Sequence, residues 1–294
     1  MKLLKKLFTA TILLCIVLSV AGIVYVLFQK ERPTPTEKPS TQKQFKKETA
    51  KTKAKSKKRD AVPSTHREMA IIIDDIGYDL DAARELLKVD AALTFAIVPF
   101  QKHSREVAVM AHQAGKETLL HLPMEPLSYP QEKPGDGALF TDMSDEEILL
   151  QLKKNFADVP YVSGVNNHMG SKFMMDEQKL TLVFRELKKR NLFFVDSRTT
   201  ADARTSAAAG KTGLKIAERK IFIDNNRDYN KIYANLMSVA SGDGVTAEIM
   251  IGHPYPETVR ALRDASKSMR RQGVSIVPVS RLIKNERQRV VIQR

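Results

Sequence analysis

Two carboxylates stand side by side where an apolar run ends, in Ile71-Ile72-Ile73-Asp74-Asp75-Ile76-Gly77-Tyr78-Asp79. Three β-branched residues in succession read as a buried strand. Two adjacent acids at its end need a compensating positive charge if both are to stay ionised. Further apolar runs close on Pro99, His121, Asn166-Asn167-His168, Asp196-Ser197, Asp224-Asn225, His253-Pro254 and Ser280. Acid, His or Asn ends six of these eight runs, more than turns and helix caps alone explain.

Such a mixture of imidazole and carboxylate suits a divalent metal. Zinc in a hydrolytic site takes about three protein ligands, commonly His and carboxylate, and keeps one position for water. Asp75, His121 and His168 come from three different runs and could supply that set, with zinc the expected ion. Asp74 would then stand beside the reacting water. Each residue also has a plainer use. Asp74 and Asp75 could form a turn, His121 could be a satisfied core histidine, His168 could bond a loop, and His253 could cap the following helix. His66 falls in a polar stretch, while His103 begins a helix and His112 sits within one, so none of these three is a candidate. Glu125, four residues after His121 in His-Leu-Pro-Met-Glu-Pro, is a further possible ligand.

The elements that must position these residues alternate from Met69 onward. Strand-like runs (MAIIID, ALTFAIVP, ETLLHLP, YVSGVNNH, LFFVDS, KIFIDN, AEIMIGH, VSIVPVS) are separated by amphipathic helical patterns such as SDEEILLQLKKNF and PETVRALRDASKSMRRQ. Ser144 followed by Glu147 predicts a capping box. The Ala/Gly-rich segment from Thr205 to Gly213 predicts a short helix at most. Eight strands with right-handed crossovers predict an α/β fold, a deformed (β/α) barrel of seven to eight strands. A doubly wound open sheet is the alternative. In a barrel the polar strand ends would meet on the C-terminal rim, where active sites are built.

The remaining chain reads differently. Of the formal net charge of +14, the stretch 29–68 carries thirteen Lys/Arg against five Asp/Glu, so the basic excess describes a tether more than the domain. Residues 1–28 combine a basic start with the uncharged run Leu7–Phe28, long enough for an uncleaved signal anchor. Residues 29–67, rich in Lys, Thr, Pro and Ser, predict a disordered linker attracted to acidic lipid or wall polymer and not to nucleic acid. Residues 68–294 form the expected domain, held at the cytoplasmic membrane by a single pass and facing the extracytoplasmic side. The only cysteine, Cys15, excludes an intramolecular disulfide and thiolate metal clusters. Trp is absent, which removes the strongest sugar-stacking side chain.

Taken in order, IIIDDIGYD, HLPMEP, NNHMGS, VDSRTT and IGHPYPET resemble the divergent polysaccharide deacetylase family, a relative of the metal-dependent NodB-type carbohydrate esterases. The resemblance covers about Met69 to Ser280. It implies a deformed β/α barrel and metal-dependent deacetylation of amino sugars. In the better-known deacetylases an Asp-Asp pair supplies a base and then a ligand, which carries over to Asp74 and Asp75. Their His-x-x-x-His pair meets His121 and Glu125 here, so the second histidine is missing and His168 is its expected replacement. The usual Arg-Pro-Pro-Tyr stretch gives way to NNHMGS. The late catalytic histidine corresponds to His253.

The implied chemistry is hydrolysis of an N-acetyl amide, with Asp74 as general base and His253 protonating the leaving amine. Asn167 or a backbone N–H would hold the oxyanion, and Asp196 would orient a histidine or bind a sugar hydroxyl. Tyr78, Tyr129, Phe173 and Tyr255 are expected sugar platforms. The partner is then an envelope polysaccharide or peptidoglycan-type glycan. Two rivals stand beside this: a non-catalytic envelope module that binds glycan or protein, and a metal-dependent hydrolase of another ester or amide.

Overall fold

The computed structural model describes residues 67–241 and 248–283. The expected anchor and all but the last residue of the expected linker lie outside the described residues. Among the described residues no helix is long and apolar enough to cross a membrane.

The run that ends on the acid pair forms β1 (Arg67–Ile76). After it come α1 (Leu80–Leu87), β2 (Thr94–Ile97), α2 (Ser104–Gln113), β3 (Glu117–Met124), α3 (Asp145–Asp158) and β4 (Gly164–Met169). A short 3-10 turn, Phe173–Met175, leads to α4 (Glu177–Lys189), β5 (Phe193–Asp196), α5 (Thr205–Thr212), β6 (Ile216–Glu218) and β7 (Ile221–Phe222). The described chain then continues with α6 (Tyr229–Ser241), β8 (Glu248–Gly252), α7 (Pro256–Arg271) and β9 (Val274–Ile276).

All strand pairings are parallel, and the sheet runs β6-β5-β4-β3-β2-β1-β8-β7. The first six strands therefore neighbour one another in chain order, and the last ones return to the free edge of β1. Among the described residues no ladder joins β6 to β7, so the sheet curls into a barrel with one open seam.

Strand parity sorts the side chains into two layers. Alternate residues such as Ile72, Leu119, Val195 and Ile251 form the barrel interior. Their neighbours Ile71, Ile73, Leu120, Val165 and Phe194 pack outward in the larger core that also takes in helix residues such as Leu86, Val107, Leu180 and Leu262. Such two-sided burial is why the strands read as continuous apolar runs. The capping box forms as predicted: Ser144 N–H donates to Glu147 Oε2 (2.7 Å), and Glu147 N–H to Ser144 Oγ (3.2 Å).

One strand has no counterpart among the predicted runs, and one predicted run needs correction. β6 has the sequence Ile-Ala-Glu, too short and polar to stand out from its surroundings. The final run, VSIVPVS, does not form a stave ending on the rim. Only Val274–Ile276 is strand, paired with Arg67–Met69 at the beginning of β1. The residues after it turn under the barrel, where Val277, Val279, Leu282 and Ile283 join the interior core. Ser280 N–H faces the carboxylate of Glu117 at the start of β3, at 3.3 Å. Ser280 is thus at the base, away from the rim.

Candidate metal centre and flanking acid–base groups

In regular strand pairing consecutive side chains point to opposite faces. Asp74 has the parity of Ile72 and faces the barrel interior, so Asp75 should point outward. The register of β1 against β2 breaks between Ile73 and Ile76, and Asp75 takes a left-handed backbone with φ 55°. This bulge swings Asp75 to the same side as Asp74. A non-glycine residue held there costs about 1–3 kcal/mol and is more usual at functional sites than elsewhere. Gly77 follows with φ 124°, and a Cβ there would come within 3.0 Å of Ser104 Oγ and 3.3 Å of the Val98 carbonyl. Asp79 then caps α1, accepting from the N–H groups of Asp81 (2.8 Å) and Ala82 (3.1 Å).

On β3 and β4, His121 pairs with Asn166, and His168 lies two residues further along on the same face. Three potential ligand atoms converge at this level. His121 Nε2 is 3.1 Å from His168 Nδ1, and Asp75 Oδ1 is 3.3 Å from the first and 3.1 Å from the second. Asp75 Oδ1 is buried and meets no hydrogen-bond geometry among the described residues, although both ring nitrogens lie within 3.3 Å of it. A cation bonded at about 2.0–2.1 Å in a tetrahedron separates its ligands by about 3.3–3.4 Å. The three edges fit such an ion, and a buried carboxylate oxygen without a hydrogen-bond donor suits a bond to a cation.

The surroundings fix the ligands. His121 Nδ1 lies 3.0 Å from Asn166 Oδ1, so an Nδ1–H donated there leaves Nε2 as the free lone pair. The Asn166 amide donates in turn to Asp74 Oδ1 (2.8 Å) and to Ser197 Oγ (3.3 Å). Asp74 Oδ2 is 3.7 Å from His121 Nε2, so the buried carboxylate borders the ligand set. Burial, the largest influence, pushes the Asp74 pKa up; the His121 charge opposes it and the Asp75 charge adds to it. Burial also disfavours the Asp75 anion, but the two imidazoles outweigh it and hold this carboxyl well below the usual range.

His253, at the end of β8, closes the other flank, with Nε2 3.9 Å from Asp75 Oδ2. Its Nδ1 is 3.0 Å from Asp224 Oδ1, and Asp224 Oδ2 accepts from His253 N–H (2.6 Å) and from the Thr258 hydroxyl (2.9 Å). Burial disfavours the imidazolium, but the hydrogen bond and charge of Asp224 prevail and raise the His253 pKa.

A family model described as divergent polysaccharide deacetylase matches residues 71–283. The chain belongs to that family. It is 39% identical over 199 residues to YibQ, an uncharacterized protein of Escherichia coli (strain K12), covering 66% of this chain and 61% of that relative. The chain thus spans less than two thirds of that relative's length. It is 29% identical over 222 residues to an uncharacterized protein of Haemophilus influenzae, covering 74% and 78% of the two chains. Among solved structures, the uncharacterized protein ATU2773 from Agrobacterium tumefaciens C58 shares the fold with a TM-score of 0.69 at 22% identity, over 74% of this chain and 89% of that one.

Within this family fold, several expected site residues have other tasks. Glu125 stands apart from the ligand atoms: Oε2 accepts from Thr141 N–H (2.8 Å) and Oγ1 (2.7 Å), and Oε1 meets Lys172 Nζ (2.7 Å). Asn167 has outward parity and does not point toward the cluster. Its amide donates to the Met169 carbonyl (2.9 Å) and Thr199 Oγ1 (3.2 Å) and accepts from Ser197 N–H (2.8 Å), which leaves no oxyanion role. Asp196 also points outward and holds Arg198 N–H (2.7 Å) and the Thr205 hydroxyl (2.5 Å), and it orients no histidine among the described residues. Phe173 is fully buried and cannot be a platform, whereas Tyr78 and Tyr129 are exposed. Tyr255 is half-buried and stacks on His253 with centroids 5.5 Å apart. Asn166 and Asp224 were visible as polar strand ends but had been given no task.

Proposed function

We propose that this chain is a metal-dependent hydrolase that removes N-acetyl groups from an amino-sugar glycan of the cell envelope. The observation that carries the reading is the flanking of one ligand cluster by a base and an acid. Asp74 lies against its His121 member, and His253 against its Asp75 member. Asp75, His121 and His168 would hold the ion, and their nitrogen and oxygen donors suit zinc. When bound, the ion supplies a Lewis acid for the amide carbonyl and lowers the pKa of water.

The protein's own groups do the rest. Asn166 keeps Asp74 oriented toward the cluster, in place to act as a base. Asp74 takes a proton as water oxygen attacks the acetyl carbon. The C–N bond then breaks, and His253 Nε2 gives its proton to the departing nitrogen, leaving acetate and a free amine. Asp224 holds His253 with Nε2 toward the cleft.

In this reading the domain lies outside the cytoplasmic membrane, held by the run 7–28. A reporter fused after Arg294 that is active only in the cytoplasm overturns that placement. For the chemistry, acetate release from chitooligosaccharides and peptidoglycan fragments is measured at matched metal content. Wild type is expected to turn over, and Asp74→Asn to retain metal while losing about a hundredfold or more in rate. Metal binding without acetate release from any such substrate turns the reading to a non-catalytic glycan-binding module.

A further inference from the structure

Two aromatic rings stack on His253, and each carries an arginine. Phe222 lies 5.7 Å from the His253 ring at 26°, and Tyr255 lies 5.5 Å from it at 30°. The Arg219 guanidinium sits over Phe222 at 3.8 Å, and that of Arg227 over Tyr255 at 3.7 Å. Both arginines thus stand one ring away from the proton donor.

Neither forms an ion pair among the described residues. Arg219, on the link across the open seam, donates from Nε to the Ser197 carbonyl (2.7 Å) and from Nη2 to the Arg198 carbonyl (3.2 Å). Three of its five N–H bonds remain. Arg227 is exposed and makes no hydrogen bond among the described residues. Their neighbours differ: Arg198 pairs with Glu218 at 2.9 Å and Lys220 with Glu248 at 3.7 Å. Two arginines on the outer helices are matched, Arg263 with Glu85 (3.0 Å) and Arg270 with Asp90 (2.8 Å), whereas Arg260 lies over Tyr229 without an ion pair among the described residues. A cleft of about 480 Å³ opens at Arg219, lined also by Arg198, Thr199, Thr200, Glu218 and Lys220.

Two guanidinium groups without an ion-pair partner among the described residues therefore stand on the rings that flank His253. A guanidinium held over a ring still offers free N–H groups, and these receive a carboxylate or phosphate. We infer that the glycan taken by this site is anionic, with a carboxylate or phosphate on a sugar beside the N-acetylated one held by Arg227, and with Arg219 on the other ring open to a further anionic group. This rests on the deacetylase reading and narrows its substrate class.

The test compares kcat/KM for acetate release from three substrates: neutral chitooligosaccharides, oligosaccharides alternating N-acetylglucosamine with glucuronate, and phosphate-bearing chitooligosaccharides. At least one anionic series is expected to be preferred tenfold or more, and which one distinguishes carboxylate from phosphate. Arg227→Ala should lower the anionic-to-neutral ratio about tenfold, chiefly through KM. Arg227→Lys should retain part of it, and Arg263→Ala, which removes a charge on the outer surface, none of the loss. Raising the salt concentration should shrink the preference. A ratio near one, or one indifferent to Arg227→Ala, overturns the inference while leaving the deacetylase reading intact. If no substrate releases acetate, that reading fails by itself, and direct titration of the two anionic oligosaccharides into metal-loaded protein decides the inference. Affinity for either reduced about tenfold by Arg227→Ala supports it; neither affinity changing overturns it.

Discussion

Asp224 grips His253 at two points, with Oδ1 3.0 Å from its Nδ1 and Oδ2 2.6 Å from its backbone nitrogen. One carboxylate therefore sets both the position of the strand end and the direction of the ring. Because Asp224 raises the His253 pKa, it keeps this imidazole, the proposed proton donor, charged to higher pH. Asp224→Asn is expected to cut kcat at least about tenfold and to move the alkaline limb of the kcat/KM profile to lower pH. A profile with unchanged shape would mean that Asp224 acts only on the fold.

A second expectation separates the two possible third ligands. His168→Ala should weaken zinc binding by tenfold or more, whereas Glu125→Ala should leave it close to wild type, as read by calorimetry on metal-stripped protein. Glu125 has its oxygens on Thr141 and Lys172, and Met124 ends its strand before it. Equal weakening by both substitutions would refute the ligand set.

How much of this could be read from the residues alone follows from parity. The β1–β5 runs and the helices between them were legible because two-sided burial writes long apolar runs, and because Ser144 and Glu147 mark a helix start. The cluster was legible because acids and histidines end those runs. What escaped was which face each strand end presents. Asn166 and His168 are two apart and share a face, so choosing His168 already implied Asn166 over Asn167. Asp196 follows the inward Val195 and must point outward by the same rule. Ser280 was misplaced because a strand-like run carries no sign of which end of the barrel it reaches.

A third expectation concerns Asn166, which joins Asp74, the proposed base, to His121 by one side-chain amide. Asn166→Asp keeps the shape and still accepts from His121 but sets a second carboxylate against Asp74. Asp74 should then hold its proton to higher pH, and the acid limb of kcat/KM should move upward. An unmoved acid limb would remove Asp74 from the base role or Asn166 from its control.

Glu125 offers a pH test of stability rather than rate. Burial opposes its anion, but Lys172 and Thr141 prevail and lower its pKa. A depressed carboxyl contributes stability that is complete above its unfolded value, about 4.3, and is lost as pH falls through the folded value. Glu125→Gln should therefore lower Tm at pH 7, and the gap from wild type should narrow as the pH drops below about 4. A gap independent of pH would point to packing alone.

The break in register on β1 makes the site a matter of counting as well as of residue type. Between Ile73 and Ile76 the strand holds more chain than its pairing with β2 uses, and this slack lets two consecutive acids share a face. Removing one residue there would let the strand run straight into its neighbours with its pairing to β8 intact through Ile73 and Gly252. The interval holds only Asp74 and Asp75, so the deletion takes one of the two acids and leaves the other to look inward. Such a shortened chain would keep its shape and lose either its base or its ligand, with every other side chain of the centre in place.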